Sequence, residues 1–184
     1  MWSFLKLNSL RSGVARGGLL ALLLLGAVSG AHAATERAEA KALIEGFLMS
    51  WESGDAETFA AALHPDLEFA YPGGRLNRDE VIALFDSYQE EKTAIKIYFA
   101  DYFITNGETH VTAYQFAATD RETEQRFAVG TGVLCKIADG KIVLFKEYWD
   151  TEVAPRQKAG QLPLDEGVVT PWPASVWLRP DTID

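Results

Sequence analysis

The stretch from Gln125 to Asp150, QRFAVGTGVLCKIADGKIVLFKEYWD, sets the narrowest limits on how this chain folds. Two runs that alternate apolar and polar residues flank Ala138-Asp139-Gly140, the pattern of a long antiparallel hairpin with one buried face. Two registers are open. Asp-Gly makes a two-residue type I′ turn, whereas Ala-Asp-Gly makes a three-residue loop with Gly140 left-handed. A one-residue difference turns a whole strand over. The three-residue loop is the expected one, because it gathers Val129, Thr131, Val133, Cys135 and Ile137 with Val143, Phe145, Glu147 and Trp149 on one apolar face. Leu134, Ile142, Leu144 and Tyr148 then fall on a mixed outer face. Gly130 and Gly132 mark the expected place for a bulge or bend in a concave sheet.

The rest of the chain supplies elements to pack on that hairpin. From Thr35 to Ser53, Leu43, Ile44, Phe47, Leu48 and Trp51 recur at helical spacing, and Gly54 is a natural stop. Asp55 can cap a second, shorter helix through Phe59, Ala62 and Leu63, ended by His64-Pro65. Leu67, Phe69 and Tyr71 alternate as a short strand broken by Pro72-Gly73-Gly74. Asn77 with Glu80 then starts a third helix carrying Val81, Ile82, Leu84, Phe85 and Tyr88. After Thr93 the period changes to two, and 95–105 and 108–119 read as strands joined at Asn106-Gly107. Three helices, a short strand and a four-strand meander make an α+β order.

At the other end of the chain, Lys6, Arg11 and Arg16 precede the apolar run Leu19 to Val28 and Ala31-His32-Ala33, the pattern of a secretory signal peptide cleaved after Ala33. An exported protein, periplasmic or extracellular, with no stable membrane insertion after cleavage, is the expectation. The formal charge of −9 from 17 Lys+Arg against 26 Asp+Glu becomes −12 when those three cations go, which argues against nucleic acid as a partner. Cys135 is the single cysteine, so no intrachain disulfide forms. Residues 154–184 carry Pro155, Pro163, Pro171, Pro173 and Pro180 without any period, yet Trp172, Val176 and Trp177 need cover, so this extension is expected to pack on the domain or a partner. The outer residues Leu134, Ile142 and Leu144 suggest a homodimer.

Candidate chemistry concentrates in few residues. Glu147, set among apolar neighbours, is either a carboxyl raised toward general acid or base use or one half of a rim ion pair. Pairing about Asn106-Gly107 would set Phe103 opposite His110 and Asp101 opposite Thr112, making Asp101 and His110 diagonal neighbours, either a His-Asp dyad or a structural hydrogen bond. Trp51, Tyr71, Tyr114, Thr131 and Trp149 are candidates for a pocket wall, or simply for core. No phosphate loop, Ser-centred elbow, Cys-His nucleophile or metal-ligand spacing is visible, so neither a cofactor nor a metal is expected.

Trp51-Glu52-Ser53-Gly54-Asp55, the run His64 to Phe69, the helix from Asp79 and the ending Asp139-Gly140-Lys141-Ile142 to Tyr148-Trp149-Asp150 together resemble the SnoaL-like branch of the nuclear transport factor 2-like superfamily. The resemblance covers about Glu36 to Glu152, within a domain placed at 34–153. It implies a cone: a curved antiparallel sheet with three N-terminal helices over its concave face, enclosing a pocket. It also implies a small, largely apolar ligand, with cofactor-independent general acid/base catalysis of isomerase, cyclase, dehydratase or hydrolase type as one reading and a non-catalytic binding or assembly module as the other. Ketosteroid isomerases of this superfamily carry their oxyanion tyrosine, basic aspartate and protonated aspartate where this chain has Phe47, Tyr71 and Val133. Their route of proton abstraction therefore does not transfer.

Overall fold

The computed structural model describes residues 17–162 and 164, with side chains from His32 onward. The chain divides into two units, one through Arg37 and one from Ala38. In the first, His32 and Glu36 pair at 3.0 Å one helical turn apart. Among the described residues no helix is long and apolar enough to cross a membrane. The leader pattern falls largely outside the described side chains, and Trp172, Val176 and Trp177 lie outside the described residues.

Helix α1 (Gly17–Ser53) brings Ile44, Phe47, Leu48 and Trp51 to the core on one stripe. It stops where expected: Gly54 takes a φ of +73°, and its N–H closes on the Ser50 carbonyl at 2.8 Å. Asp55 then accepts from the Thr58 N–H at 3.0 Å and starts α2 (Ala56–Ala61), whose Phe59 is fully buried. This helix is shorter than the sequence pattern implies. Leu63 opens β1 (Leu63–Tyr71) instead of closing α2, and His64-Pro65 lies inside that strand, where its pairing with the neighbour slips between Leu63 and Glu68. Pro65 has no N–H to give a ladder, so an irregular stretch is where it fits. After the short β2 (Gly74–Leu76), Asn77 and Glu80 form a complete capping box for α3 (Arg78–Glu91), worth about 1 kcal/mol at such a start.

Five more strands follow: β3 (Lys92–Phe99), β4 (Ile104–Asn106), β5 (Thr109–Asp120), β6 (Arg126–Ala138) and β7 (Lys141–Tyr148). They make an open curled sheet of seven strands in the order β2-β1-β7-β6-β5-β3, with β4 on β5. The α+β architecture is the expected one. One junction is parallel, between β1 and β7, and the others are antiparallel. Inside the curl, Phe47 of α1, Phe59 of α2 and Phe85 of α3 meet Phe145 of β7 through ring pairs 4.2–5.0 Å apart. That cluster closes one end of the interior.

The central hairpin corrects the expected turn. Ala138 pairs with Lys141, and Asp139 and Gly140 both have positive φ (51° and 68°), which is a two-residue type I′ turn. Beyond Ile137↔Ile142 the register slips, so that Lys136 pairs with Leu144 and Val143 is the extra residue of a bulge. Turn and bulge together restore the face expected of the longer loop: Val133 sits opposite Glu147 and Cys135 opposite Phe145. The bulge is therefore not at Gly130 and Gly132, which hold an unbroken register with β5. Ile142, next to the turn, is fully buried in the core and does not belong to an outer face that a second copy would cover.

The other hairpin also differs. Asn106 pairs with Thr109, so the turn residues are Gly107 and Glu108. From Lys96 to Phe99 strand β3 keeps the expected register, Phe99↔Tyr114, and the Ala100 N–H still reaches the Ala113 carbonyl, but β4 is displaced by two residues, Thr105↔His110, because the chain leaves the ladder between them.

Candidate active site

A cavity of about 290 Å³ opens inside the curl between the sheet and α1 and α3. Its walls are Trp51 from α1, Leu84 and Tyr88 from α3, Phe69 and Tyr71 from β1, Tyr114 and Phe116 from β5, Phe127, Val129 and Thr131 from β6, and Glu147 and Trp149 from β7 and its end. Each strand contributes alternate residues, as period two requires of an inner face. This also settles which side of β5 is concave: the bulky side with Tyr114 and Phe116.

The last wall residue, Ala154, comes from a helix that the sequence pattern does not announce, α4 (Val153–Lys158). It is six residues long, and Pro155 falls in its first turn, where a missing N–H does no harm. The Gln157 side chain holds it to the sheet as a strand would, accepting from the Ala128 N–H at 2.9 Å and donating to the Ala128 carbonyl at 3.0 Å. The start of the C-terminal extension thus packs on the domain.

Glu147 is the one charged residue of the cavity wall. It is 9% exposed, and among the described residues it has no ion pair; the rim salt bridge that was its alternative reading is not formed. The Tyr114 hydroxyl donates to Glu147 Oε1. Burial pushes the Glu147 carboxyl up from its usual 4.5 to about 7, and the Tyr114 hydrogen bond pulls against that rise. Burial, followed by the neighbouring Glu147 charge, lifts the Tyr114 phenol well above its usual value, while Thr131, directly across the ladder from it, lowers it. Tyr114 consequently stays a hydroxyl that can give its proton only to a hydrogen bond, and Glu147 is poised to exchange one near neutrality.

The sequence candidates separate into two groups. Trp51, Tyr71, Tyr114, Thr131, Glu147 and Trp149 are all brought to the cavity. Asp101 and His110 are not part of it, and the structure does not bring them together as a dyad: Asp101 is exposed on the bend before β4, whereas the buried His110 ring stacks on Phe103 at 5.5 Å with Nδ1 3.3 Å from the Thr105 hydroxyl. The two-residue displacement of β4 removes the assumed diagonal. Burial pulls the His110 imidazole below its usual value, which suits a neutral packing group. Cys135 is fully buried and its thiol is pushed up to about 12, the state of an inert core residue. Among the described residues no group of three His, Cys, Asp or Glu side chains could hold a metal ion.

Sequence reasoning missed Phe69, Leu84, Tyr88, Phe116, Phe127, Val129 and Ala154 as wall residues. Tyr88 lies one turn beyond Leu84 on α3, and both reach the wall. Tyr71 and Trp149, whose rings are parallel at 3° with centroids 6.0 Å apart, hold the end of β1 against the end of β7 beside the cavity.

Comparison with known proteins agrees with this geometry. Among curated protein sequences none matches. Solved structures do. An LEH-like epoxide hydrolase of M. tuberculosis aligns at 22% identity over 69% of this chain and 94% of its own, with a TM-score of 0.61. TsrD from Streptomyces laurentii aligns at 20% identity over 68% and 98%, TM-score 0.59. An NTF2-like protein of Burkholderia thailandensis aligns at 20% identity over 63% and 94%, TM-score 0.54. At these identities the likeness is one of fold. The sequence profile of the SnoaL-like domain matches residues 44–145, and with the curled sheet, the helices above it and the cavity in place, this chain belongs to the SnoaL-like domain family.

Proposed function

We propose that the domain binds a small, largely apolar molecule in the cavity and that Glu147, tuned by Tyr114, does general acid/base work on it without a cofactor. The observation that carries this is a buried carboxyl without an ion pair in the wall of an otherwise uncharged, mostly aromatic cavity. A group that serves stability alone is normally paired where it is buried. A group that must take up and release a proton gains from a value near neutrality. The epoxide hydrolase among the structural relatives shows that this fold accommodates hydrolysis, and the reaction here is of the isomerase, cyclase, dehydratase or hydrolase type.

Binding is the first test. Titration of the purified protein with 2-naphthol should give saturable quenching of tryptophan fluorescence at one site per chain, because Trp51 and Trp149 form part of the wall. Val129→Trp, which fills the cavity from β6, should remove it while far-ultraviolet circular dichroism stays unchanged. Quenching that never saturates, or that survives in a folded Val129→Trp protein, would refute the cavity as the binding site.

The reading extends to location. The leader pattern supports an exported domain, periplasmic or extracellular, and N-terminal sequencing of protein recovered from outside the cytoplasm should start at Ala34. Met1 at the start of a membrane-bound product would overturn it.

A further inference from the structure

We propose that the cavity is built for an organic cation: a small alkylammonium group held by the rings of Trp51, Tyr71, Tyr88 and Trp149 against the carboxylate of Glu147. This rests on the reading of the cavity as a binding site and names the class of its ligand.

No Lys, Arg or His lines the cavity, and Glu147 is its single ionisable acid. The groups that share the wall with that carboxyl are neutral: Tyr114 of β5, which donates to it, Thr131 of β6, Tyr71 of β1, Tyr88 of α3 and Trp51 of α1. Two lysines approach wall rings, Lys92 at 5.6 Å from the Tyr88 ring centroid and Lys158 at 5.3 Å from that of Phe127. Both are committed to Asp120, at 3.1 and 3.6 Å, and neither reaches Glu147. The carboxylate therefore has one hydrogen bond, from Tyr114, and no counter-ion among the described residues.

A neutral apolar ligand and a cation would act on that carboxylate in opposite senses. The first excludes water and drives the acid toward its protonated form. The second supplies the missing counter-charge, and its methyl or methylene groups meet ring faces that attract positive charge through their quadrupoles. Aromatic walls with a lone acid satisfy both halves of an alkylammonium at once, the apolar shell and the net charge. The chain's formal charge of −9 adds long-range attraction for cations. A cavity of about 290 Å³ is ample for a trimethylammonium head with a short tail.

The test uses choline and its neutral carbon isostere 3,3-dimethylbutan-1-ol, titrated by calorimetry into the full-length protein at pH 5 and pH 8. Choline should bind at least tenfold more tightly than the isostere at pH 8. Because it needs the ionised carboxyl, its affinity should fall to about that of the isostere at pH 5, two units below the Glu147 value of about 7. Near pH 7, titrations in buffers of different ionisation enthalpy should show proton release on binding. Glu147→Gln should reduce choline to the level of the isostere. Equal binding of both compounds, with no pH dependence, would overturn the cation and leave the cavity as a neutral-ligand site. Binding of neither compound would refute both this assignment and the reading on which it rests.

Discussion

Glu147→Gln is expected to make the protein more stable at pH 8 and to leave it about as stable at pH 4. The folded carboxyl has its value raised to about 7 from the usual 4.5, so the folded state holds this proton more tightly than the unfolded chain does. Below pH 4.5 both states are protonated and Glu147 costs nothing. Between 4.5 and 7 the unfolded chain has lost the proton and the folded protein has kept it, so stability falls as pH rises, and above 7 the loss is complete. A difference of that size corresponds to about 3 kcal/mol, an upper bound on what the variant can regain, since Gln must also be desolvated. Its side-chain oxygen can still accept from Tyr114. Urea unfolding at the two pH values is the measurement, and the fall in stability between pH 4.5 and 7 that Glu147 causes should disappear from the variant. A loss of more than about 2 kcal/mol at both pH values would instead mark Glu147 as one half of a buried structural pair.

That prediction was legible before the fold was known, and the reasons are specific. A single acid on an otherwise apolar strand face stays on that face under any register that keeps the parity of β7. The parity survived even though the turn did not match: the shorter turn at Asp139-Gly140 was compensated by the bulge at Val143, and one residue dropped plus one inserted returns the same pleat. Ile142 lies between turn and bulge, so it changed sides and entered the core. The dyad failed for the complementary reason. Strands β3 and β4 look like one strand in sequence, and nothing at Ala100 to Phe103 is a glycine or proline that would betray a bend, so the two-residue displacement that separates Asp101 from His110 had no local signature. Helix α4 is six residues long, below the length at which periodicity can be seen, and is held by Gln157 to the Ala128 backbone, a long-range bond that no spacing encodes. The cavity wall falls between these cases. Trp51, Tyr71 and Trp149 were recognisable as buried aromatics, but a buried aromatic beside a void and one beside a neighbour read the same in sequence, which is why Tyr88 passed for core.

Phe59→Ala should have the largest effect of any single truncation argued for this domain, a loss of about 3–5 kcal/mol. Phe59 is fully buried on a helix of six residues, too short to persist on its own, and the Asp55 cap and this ring are what fix it. The ring lies 4.9 Å from Phe47, 4.2 Å from Phe85 and 5.2 Å from Trp51, so it joins α1, α2 and α3 over the sheet. Those neighbours are held from other sides, Phe47 by Phe145 at 5.0 Å and Trp51 by Tyr88 and Phe116 at 5.6 and 6.3 Å, so the space left by the ring cannot close without breaking further contacts. Phe69→Ala makes the control. Phe69 is also buried, yet it borders the existing cavity, so its removal enlarges a void that is already tolerated and forfeits fewer packed contacts. Urea unfolding should place Phe59→Ala well below Phe69→Ala, with unchanged m-values. Because Trp51 is both a partner of Phe59 and a wall of the cavity, the same variant should weaken 2-naphthol binding although Phe59 does not line the site. Should Phe59→Ala lose less than about 1.5 kcal/mol, the site is free to collapse and the three-helix cluster is not what holds the cavity open.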